Sequence, residues 1–225
     1  MQIGFRILDR KRAVSAEVAK RFANVPVACV SDVMSRMTAG GPTLRPMHAG
    51  GVLSGPAFTV KTRPGDNLMV HKALTLAQPG DVIVVDAGGD LTNAIIGELM
   101  LSYAMKRGFA GMVINGAIRD SDWISKHDMP VYAAGVTHRG PYKDGPGEIN
   151  VTVAFGGMVV EPGDLIVGDA DGFVCVPYDD VETVYAMAAK KSAGEARILE
   201  NTLSGKFDDK SWIDESLRRL GCEGL

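Results

Sequence analysis

The sequence predicts an α/β protein in which a parallel strand–helix–strand section is followed by a β-rich section and a C-terminal helix. Apolar runs at residues 81–86 and 111–116 are separated by a helical segment, which is typical of a parallel βαβ connection. Residues 149–177 contain short apolar stretches between turns, which is typical of short strands. Residues 179–203 form a long amphipathic segment, which indicates a helix.

The first elements are predicted from caps and breakers. Residues 14–24 form a short amphipathic segment that ends before a proline, which predicts a helix. A Ser-Asp pair can cap a second helix at residues 31–37, because side-chain oxygens satisfy the free amides of a first turn. Residues 52–62 have strand character, and Asp66 is the predicted N-cap of a helix at residues 67–77.

The central section alternates strands with helices. The β-branched centre of residues 81–86 predicts a strand that is buried on both faces. After a Gly-rich loop, a helix is expected to start at residue 92 or 93 and to end near residue 107. A strand at 111–115, a short helix at 123–127 and a strand at 131–134 follow.

The last third is predicted to be a loop, a set of strands and two helices. Residues 135–147 are rich in Gly and Pro and carry His138, Arg139 and Lys143, which indicates a loop and a plausible lid. The strands are expected at 149–155, 157–160, 165–167 and 172–177, and the helices at 179–203 and 212–220.

The domain organisation is predicted to be simple. No linker divides the strand–helix section from the β-rich section, so residues 1–225 are expected to form a single domain. Within it, residues 1–24 are expected to form an N-terminal helical arm and residues 179–225 a C-terminal helical extension.

Composition excludes several classes of function. A formal net charge of −3 gives no basic face for nucleic acid, and no run approaches the roughly 20 apolar residues of a membrane span. Three cysteines, at positions 29, 175 and 222, are an odd number without paired spacing, which favours a reducing compartment. A cytoplasmic protein without a nucleic-acid or membrane partner is therefore expected.

The most informative charged residues are Glu98 and the adjacent pair Arg119-Asp120. Glu98 follows a Gly-rich loop, and the Arg-Asp pair follows the next apolar run. In open α/β sheets, ligands bind beyond the carboxyl ends of the strands, so these three charges are expected at one site. Each also has an ordinary interpretation, since Glu98 fits an exposed helix residue and Arg119-Asp120 fits a solvated turn.

Together the three residues indicate a divalent metal and an anionic substrate. Asp120 offers a hard oxygen ligand of the kind that magnesium or manganese accepts. Arg119 can bind a carboxylate through two hydrogen bonds or stabilise an enolate oxygen. Gly97 precedes a helix start, where the free amides near Glu98 and Leu99 suit a substrate carboxylate. The Glu98 side chain would then pair with Arg119 or with a water on the metal.

Other kinds of site are disfavoured. Residues 169–172 resemble the start of a calcium loop, but the twelfth position lacks a glutamate, so a tight turn is favoured. The four histidines have no zinc-ligand spacing, and the sequence contains no dinucleotide, P-loop or nucleophile-elbow motif.

Several motifs carry a resemblance to a known family. They lie at residues 31–32, 65–68, 79–89, 97–99, 107–108, 116–120, 162–165 and 169–172. By these motifs the chain resembles the RraA-like family over roughly residues 25–200. The resemblance implies a layered β/β/α sandwich-like core of the swivelling-domain type. It also implies one of two functions, because the family includes aldolases as well as regulators that bind and inhibit ribonuclease E.

The aldolases of this family cleave 4-hydroxy-4-methyl-2-oxoglutarate or 4-carboxy-4-hydroxy-2-oxoadipate and also decarboxylate oxaloacetate. Their site pattern is Asp, twenty residues, then Arg-Asp, which Arg119 and Asp120 match directly while Glu98 replaces the first Asp. By resemblance, Asp120 contacts the metal, Arg119 holds the pyruvyl oxygen, and amides near Leu99 take the carboxylate. The regulators lack the acid after the Arg, so its presence here favours a metal-dependent enzyme that uses Mg²⁺ or Mn²⁺.

The resemblance also implies an assembly. The aldolases are trimers or dimers of trimers, in which an acid from the adjacent chain approaches the substrate. A homotrimer or homohexamer is therefore expected, with Glu195 on the long C-terminal helix as the candidate acid. That helix carries Val181, Val184 and Ala188 on one stripe, which could pack on a neighbour as well as on its own core.

Overall fold

A computed structural model describes residues 3–224 of the chain. Its strands are β1 (Phe5–Ile7), β2 (Arg45–Pro46), β3 (Leu53–Thr62), β4 (Val82–Asp86), β5 (Ala94–Ile96), β6 (Gly111–Ile118), β7 (Val131–Val136), β8 (Gly147–Ile149), β9 (Val153–Phe155), β10 (Met158–Val160), β11 (Leu165–Asp169) and β12 (Gly172–Val176). Its α-helices are α1 (Ala16–Phe22), α2 (Val27–Val33), α3 (Leu68–Leu76), α4 (Glu98–Lys106), α5 (Ser121–Ile124), α6 (Val181–Leu203) and α7 (Ser211–Arg219).

The centre of the fold is a parallel section formed by β3, β4, β6 and β7. Each of these strands pairs in parallel with the next, and α3, α4 and α5 lie in the connections between them. The four residues at 82–85 are fully buried, as expected for a strand that is covered on both faces. This arrangement confirms the parallel βαβ section that the apolar runs predicted.

The β-rich section packs against one face of that sheet. The first half of β3, Leu53–Pro56, pairs with β11, while its second half pairs with β4, so β3 joins the two sections. β11 and β12 form an antiparallel hairpin, and β9 and β10 form another. A buried apolar cluster between the two sections includes Val84, Val113, Phe155 and Ile166.

Helices cover the outer faces. One apolar cluster joins α3 and α4 to the parallel sheet, and another joins α1, α2 and α6 to β11 and β12. The layered β/β/α core is thus confirmed, and α1, α2 and α6 add a further helical layer on the other side. None of the described helices is both long and apolar enough to cross a membrane.

Two predicted helix starts are wrong. Helix α2 begins at Val27 instead of residue 31, because the distant carboxylate of Asp169 accepts a hydrogen bond from the Val27 amide at 2.9 Å. Residues 94–96 form strand β5 rather than the first turn of a helix, because they are buried beside β6. Helix α4 therefore starts only at Glu98.

The two ends of the chain also differ from expectation. The N-terminal arm contains a strand, β1, which pairs with β8, so its helical part is confined to α1. At the other end, α6 and α7 form the expected helical extension. Val181, Val184 and Ala188 of α6 are buried on the chain's own core, whereas α7 has no buried residue.

Candidate active site

The two charged motifs meet at one edge of the sheet. Strands β5 and β6 run in parallel with Ile96 opposite Ile118, so Gly97 and Arg119 follow paired strand ends. The Arg119 amide donates to the Ile96 carbonyl oxygen at 3.0 Å, and this hydrogen bond holds the ends of β5 and β6 together. The structure thus places Gly97, Glu98, Arg119 and Asp120 together, at the carboxyl ends of the strands.

Asp120 is held in an uncommon conformation between a helix start and an arginine. Its φ is 56°, in the left-handed region, and it is the N-cap residue of α5. Its Oδ2 accepts a hydrogen bond from the Glu98 amide at 2.9 Å and lies 3.6 Å from Arg119 Nε. The carboxylate therefore stabilises the N-terminus of α4 and stays partly exposed at the site.

Gly97 makes this close approach possible. A Cβ at this position would lie 2.3 Å from Asp120 Oδ2 and 2.8 Å from Arg119 Cγ. Both distances are below any normal contact, so a side chain here would displace the pair. The sequence prediction identified Gly97 as part of the site, although for the helix start that follows it.

The Glu98 carboxylate does not make the predicted contact with Arg119. Glu98 is exposed at the first position of α4, and its side chain has no ion pair or hydrogen bond among residues 3–224. Arg119 lies instead beside Asp120, whose carboxylate also accepts a hydrogen bond from the Glu98 amide. The Leu99 and Met100 amides are in the first turn and have no partner within the helix, so they can donate hydrogen bonds to an anion.

A cavity of about 250 Å³ opens beside these residues. It is lined by Asn67, His71, Ala94, Ile95, Ile96, Gly97, Leu99, Met100, Arg119, Gly140, Pro141 and Lys143. A larger opening of about 800 Å³ runs along β1 and β8, but it contains neither charged motif. The smaller cavity is therefore the candidate active site.

His71 and Lys143 were not predicted as site residues. His71 lies on α3, and Lys143 lies on the loop between β7 and β8 that the sequence suggested as a lid. Partial burial lowers the pKa of His71, and the charge of Lys143 lowers it further. The only sequence signal was that both α3 and this loop follow strands that end at the same edge of the sheet.

Glu195 lies away from this group of residues within one chain. Its Oε1 is 2.8 Å from Lys191 Nζ, and its Oε2 accepts a hydrogen bond from Cys29 Sγ at 3.2 Å. The hydrogen bond from Lys191 lowers the pKa of Glu195. The structure thus places Glu195 at the contact between α6 and α2, and any approach to a substrate would require a neighbouring chain.

The side chains at this site fit a metal ion that takes few of its ligands from the protein. The described residues contain no group of three or more His, Cys, Asp or Glu side chains that could hold a metal ion. Mg²⁺ is usually bound through one or two carboxylates, with water and substrate oxygens completing its shell. Asp120 is partly exposed, and its second oxygen, Oδ1, has no hydrogen bond within residues 3–224, so it suits this role.

Comparison with known proteins identifies the family. The model of the RraA-like family, described as Aldolase/RraA, matches residues 27–175. The chain belongs to the RraA-like family. A relative from Halalkalibacterium halodurans is 43% identical over 175 residues, which are 78% of this chain and 83% of the relative. It carries the provisional name 4-hydroxy-4-methyl-2-oxoglutarate aldolase, as does an Ectopseudomonas mendocina relative that is 37% identical over 55% of this chain and 75% of its own.

Solved structures share the fold of this RraA-like chain. An uncharacterised protein from Pseudomonas syringae superposes with a TM-score of 0.77 at 26% identity, covering 86% of this chain and 95% of its own. RraAS2 of Streptomyces coelicolor, described as an unusual member of the RNase ES inhibitor RraA family, has a TM-score of 0.74 at 27% identity. That superposition covers 82% of this chain and 96% of RraAS2. The family therefore contains proteins described as aldolases and proteins described as ribonuclease inhibitors.

Proposed function

We propose that this protein is a divalent-metal-dependent aldolase that cleaves a 4-hydroxy-2-oxo di- or tricarboxylic acid to pyruvate and a second oxo acid. The observation that carries the proposal is the position of Arg119 and Asp120, side by side at the helix start that borders the cavity. The aldolase names of the relatives support the same reaction class. The acid after the arginine, which the regulators of the family lack, favours catalysis over ribonuclease E inhibition.

The substrate's pyruvyl end is bound by groups that the fold already holds in place. The free amides of Leu99 and Met100 donate hydrogen bonds to the C1 carboxylate at the positive end of α4. The Arg119 guanidinium donates to the C2 oxygen, which gains negative charge as the reaction proceeds. Asp120 would hold Mg²⁺ or Mn²⁺, which supplies Lewis acidity to the 2-oxo acid when bound.

Cleavage then follows from these contacts. The C4 hydroxyl loses its proton to water in the open cavity, the C3–C4 bond breaks, and its electron pair moves toward C2 to give pyruvate enolate. Arg119 stabilises the enolate oxygen, and transfer to C3 of the proton that the water took from the C4 hydroxyl completes pyruvate. The exposed Glu98 carboxylate, which lies between the cavity-lining residues Gly97 and Leu99, orients water beside the cavity. Decarboxylation of oxaloacetate gives the same enolate, so oxaloacetate decarboxylase activity is a side activity of the same site.

The test is a pyruvate-release assay over a panel of 4-hydroxy-2-oxo diacids and triacids, with oxaloacetate included. We expect at least one acid to be cleaved, and we expect Arg119→Lys to lower kcat by ~100-fold or more, because lysine lacks the planar fork that meets a developing oxyanion. Arg12→Lys, a change at a partly exposed arginine that pairs with Asp179 and does not line the cavity, serves as the matched control. Absence of pyruvate from every acid, together with inhibition of ribonuclease E, would establish the regulator instead.

A further inference from the structure

The charge of the candidate cavity differs from the charge of the chain. The whole sequence has a formal net charge of −3, yet the residues that line the cavity include Arg119, His71 and Lys143 and no carboxylate. We propose that Lys143 and His71 form a subsite that binds a second carboxylate of the substrate, at a position separate from the Arg119 end. This proposal rests on the proposed function and names the residues that select a dicarboxylate.

The loop that carries Lys143 is anchored on the C-terminal side of that residue. Asp66 is fully buried, and its Oδ2 accepts hydrogen bonds from the Asp144 amide at 2.8 Å and the Gly145 amide at 2.9 Å. Its Oδ1 accepts a third from the Leu68 amide at 2.9 Å, at the start of α3. One buried carboxylate thus ties the Lys143 loop to the helix that carries His71.

The same loop is anchored on the N-terminal side of Lys143. The Tyr142 amide donates to the Gly65 carbonyl oxygen at 2.8 Å, and the Tyr142 carbonyl accepts from the Asn67 amide at 3.0 Å. Farther along, the Asn93 side chain donates to the Gly140 carbonyl. The backbone of Lys143 is therefore fixed before any ligand binds, which lowers the conformational entropy lost on binding.

Neither proposed side chain has a bonding partner among the described residues, and the lowered pKa of His71 favours a neutral imidazole that can still donate one hydrogen bond. Lys143 has no ion pair within the described range 3–224, and the His71 ring has no hydrogen bond there. The charge of Lys143 acts on His71, as its effect on the His71 pKa indicates. A carboxylate placed between them would gain two donors without displacing an existing acid partner.

The two sets of donors come from different elements of the fold. The first turn of α4 and Arg119 follow β5 and β6, whereas His71 lies on α3 and Lys143 on the loop after β7. All of them border one small cavity, so a short acid with carboxylates at both ends can reach both sets of donors. A monocarboxylate has a single anionic group, so we expect it to occupy one set of donors and not both.

Binding measurements test this subsite without requiring turnover. We would titrate the metal-loaded protein with pyruvate, a monocarboxylate, and with 2-oxoglutarate, a dicarboxylate that shares its 2-oxo acid end. Loss of a hydrogen bond to a charged group costs about 1.5–3 kcal/mol, so Lys143→Met should weaken 2-oxoglutarate binding roughly 10- to 100-fold. Pyruvate binding should change by less than about threefold, within the usual effect of a remote surface change.

Two variants serve as controls. Lys143→Arg keeps the charge and should retain most of the preference for 2-oxoglutarate, while His71→Phe should reduce it in the same direction as Lys143→Met. Lys72→Met removes an exposed charge of α3 that does not border this cavity, and it should change neither affinity.

The outcomes separate the subsite from the proposed reaction. The subsite is wrong if Lys143→Met weakens both acids equally or neither, or if the wild-type protein binds 2-oxoglutarate no better than pyruvate. The reaction is wrong if the wild-type protein binds these acids with the expected preference and yet releases pyruvate from no substrate.

Discussion

At the scale of single residues, the site depends on Gly97, where the side chains of Asp120 and Arg119 take the space that a Cβ would need. Its φ of −156° is ordinary extended backbone, so the requirement for glycine is steric and not conformational. The predicted Cβ contacts of 2.3 Å and 2.8 Å involve Asp120 and Arg119 themselves. A substitution there should therefore damage the chemistry more than the fold.

We predict that Gly97→Ala lowers kcat by ~100-fold or more, because misplacement of a positioning group by about 1 Å can cost that much. The measurement is pyruvate release at saturating metal, with thermal unfolding to show that the protein is folded. Gly194→Ala is the matched control, since nothing lies within 4 Å of a Cβ at that helical position. Full activity of Gly97→Ala would mean that Arg119 and Asp120 are not the reacting pair.

The residues of the site differ in how well the sequence predicted them. Arg119, Asp120 and Gly97 could be predicted because they lie at the ends of apolar runs, where the order of strands alone places them together. His71 and Lys143 could not, because α3 and the loop after β7 are joined by contacts between residues far apart in sequence, including those of the buried Asp66. Of the two predicted partners of Glu98, Arg119 is not in contact with it, because the Asp120 carboxylate lies beside Arg119 and accepts from the Glu98 amide; a contact with a water on the metal stays a prediction.

At the scale of elements, local signals predicted the long segments and missed the short ones. The buried run in β4 and the amphipathic pattern of α6 define their elements without help from the rest of the chain. Strand β5 has only three residues, and its strand state depends on β6, while the start of α2 depends on Asp169 from β11. Contacts between residues far apart in sequence decide both, so neither was predictable from a local pattern.

Helix α6 gives the prediction at this scale. Ala188 is fully buried against the α1–α2 side of the core, so Ala188→Asp would place a carboxylate without a partner there. We predict a loss of about 2–4 kcal/mol in the free energy of unfolding, measured by urea denaturation. Ala186→Asp, on the exposed face of the same helix, should change it by less than ~0.5 kcal/mol. Equal effects of the two substitutions would show that this face of α6 does not pack on its own core.

At the scale of the whole molecule, the C-terminal extension suggests an assembly. Beyond Ala188, apolar side chains of α6 and α7 are exposed, including Leu199, Leu203, Trp212 and Ile213. Exposed apolar surface of this kind commonly marks an interface. Because Glu195 lies on the same helix and does not reach the cavity of its own chain, we propose that it acts on a neighbouring chain.

We predict a homotrimer or homohexamer in which Glu195→Ala lowers kcat while the assembly stays intact. Light scattering should give a mass of three or six chains, since the catalytic site would be completed by a neighbour. Glu200→Ala, at a more distal exposed position of α6, is the control. A stable monomer with full activity would exclude the assembly, and an active Glu195→Ala trimer would exclude only the role of that residue.

The central claim is that one carboxylate, Asp120, holds a divalent metal on which pyruvate release depends. The most direct measurement is pyruvate release by chelator-treated protein, before and after titration with Mg²⁺ or Mn²⁺, for the wild type and Asp120→Asn. We predict no activity in chelator, full recovery of the wild type on adding metal, and weakened metal affinity with little recovery in Asp120→Asn, because a neutral amide is a poorer ligand for a hard cation. Undiminished pyruvate release in excess chelator, or equal recovery of both proteins, would contradict the claim.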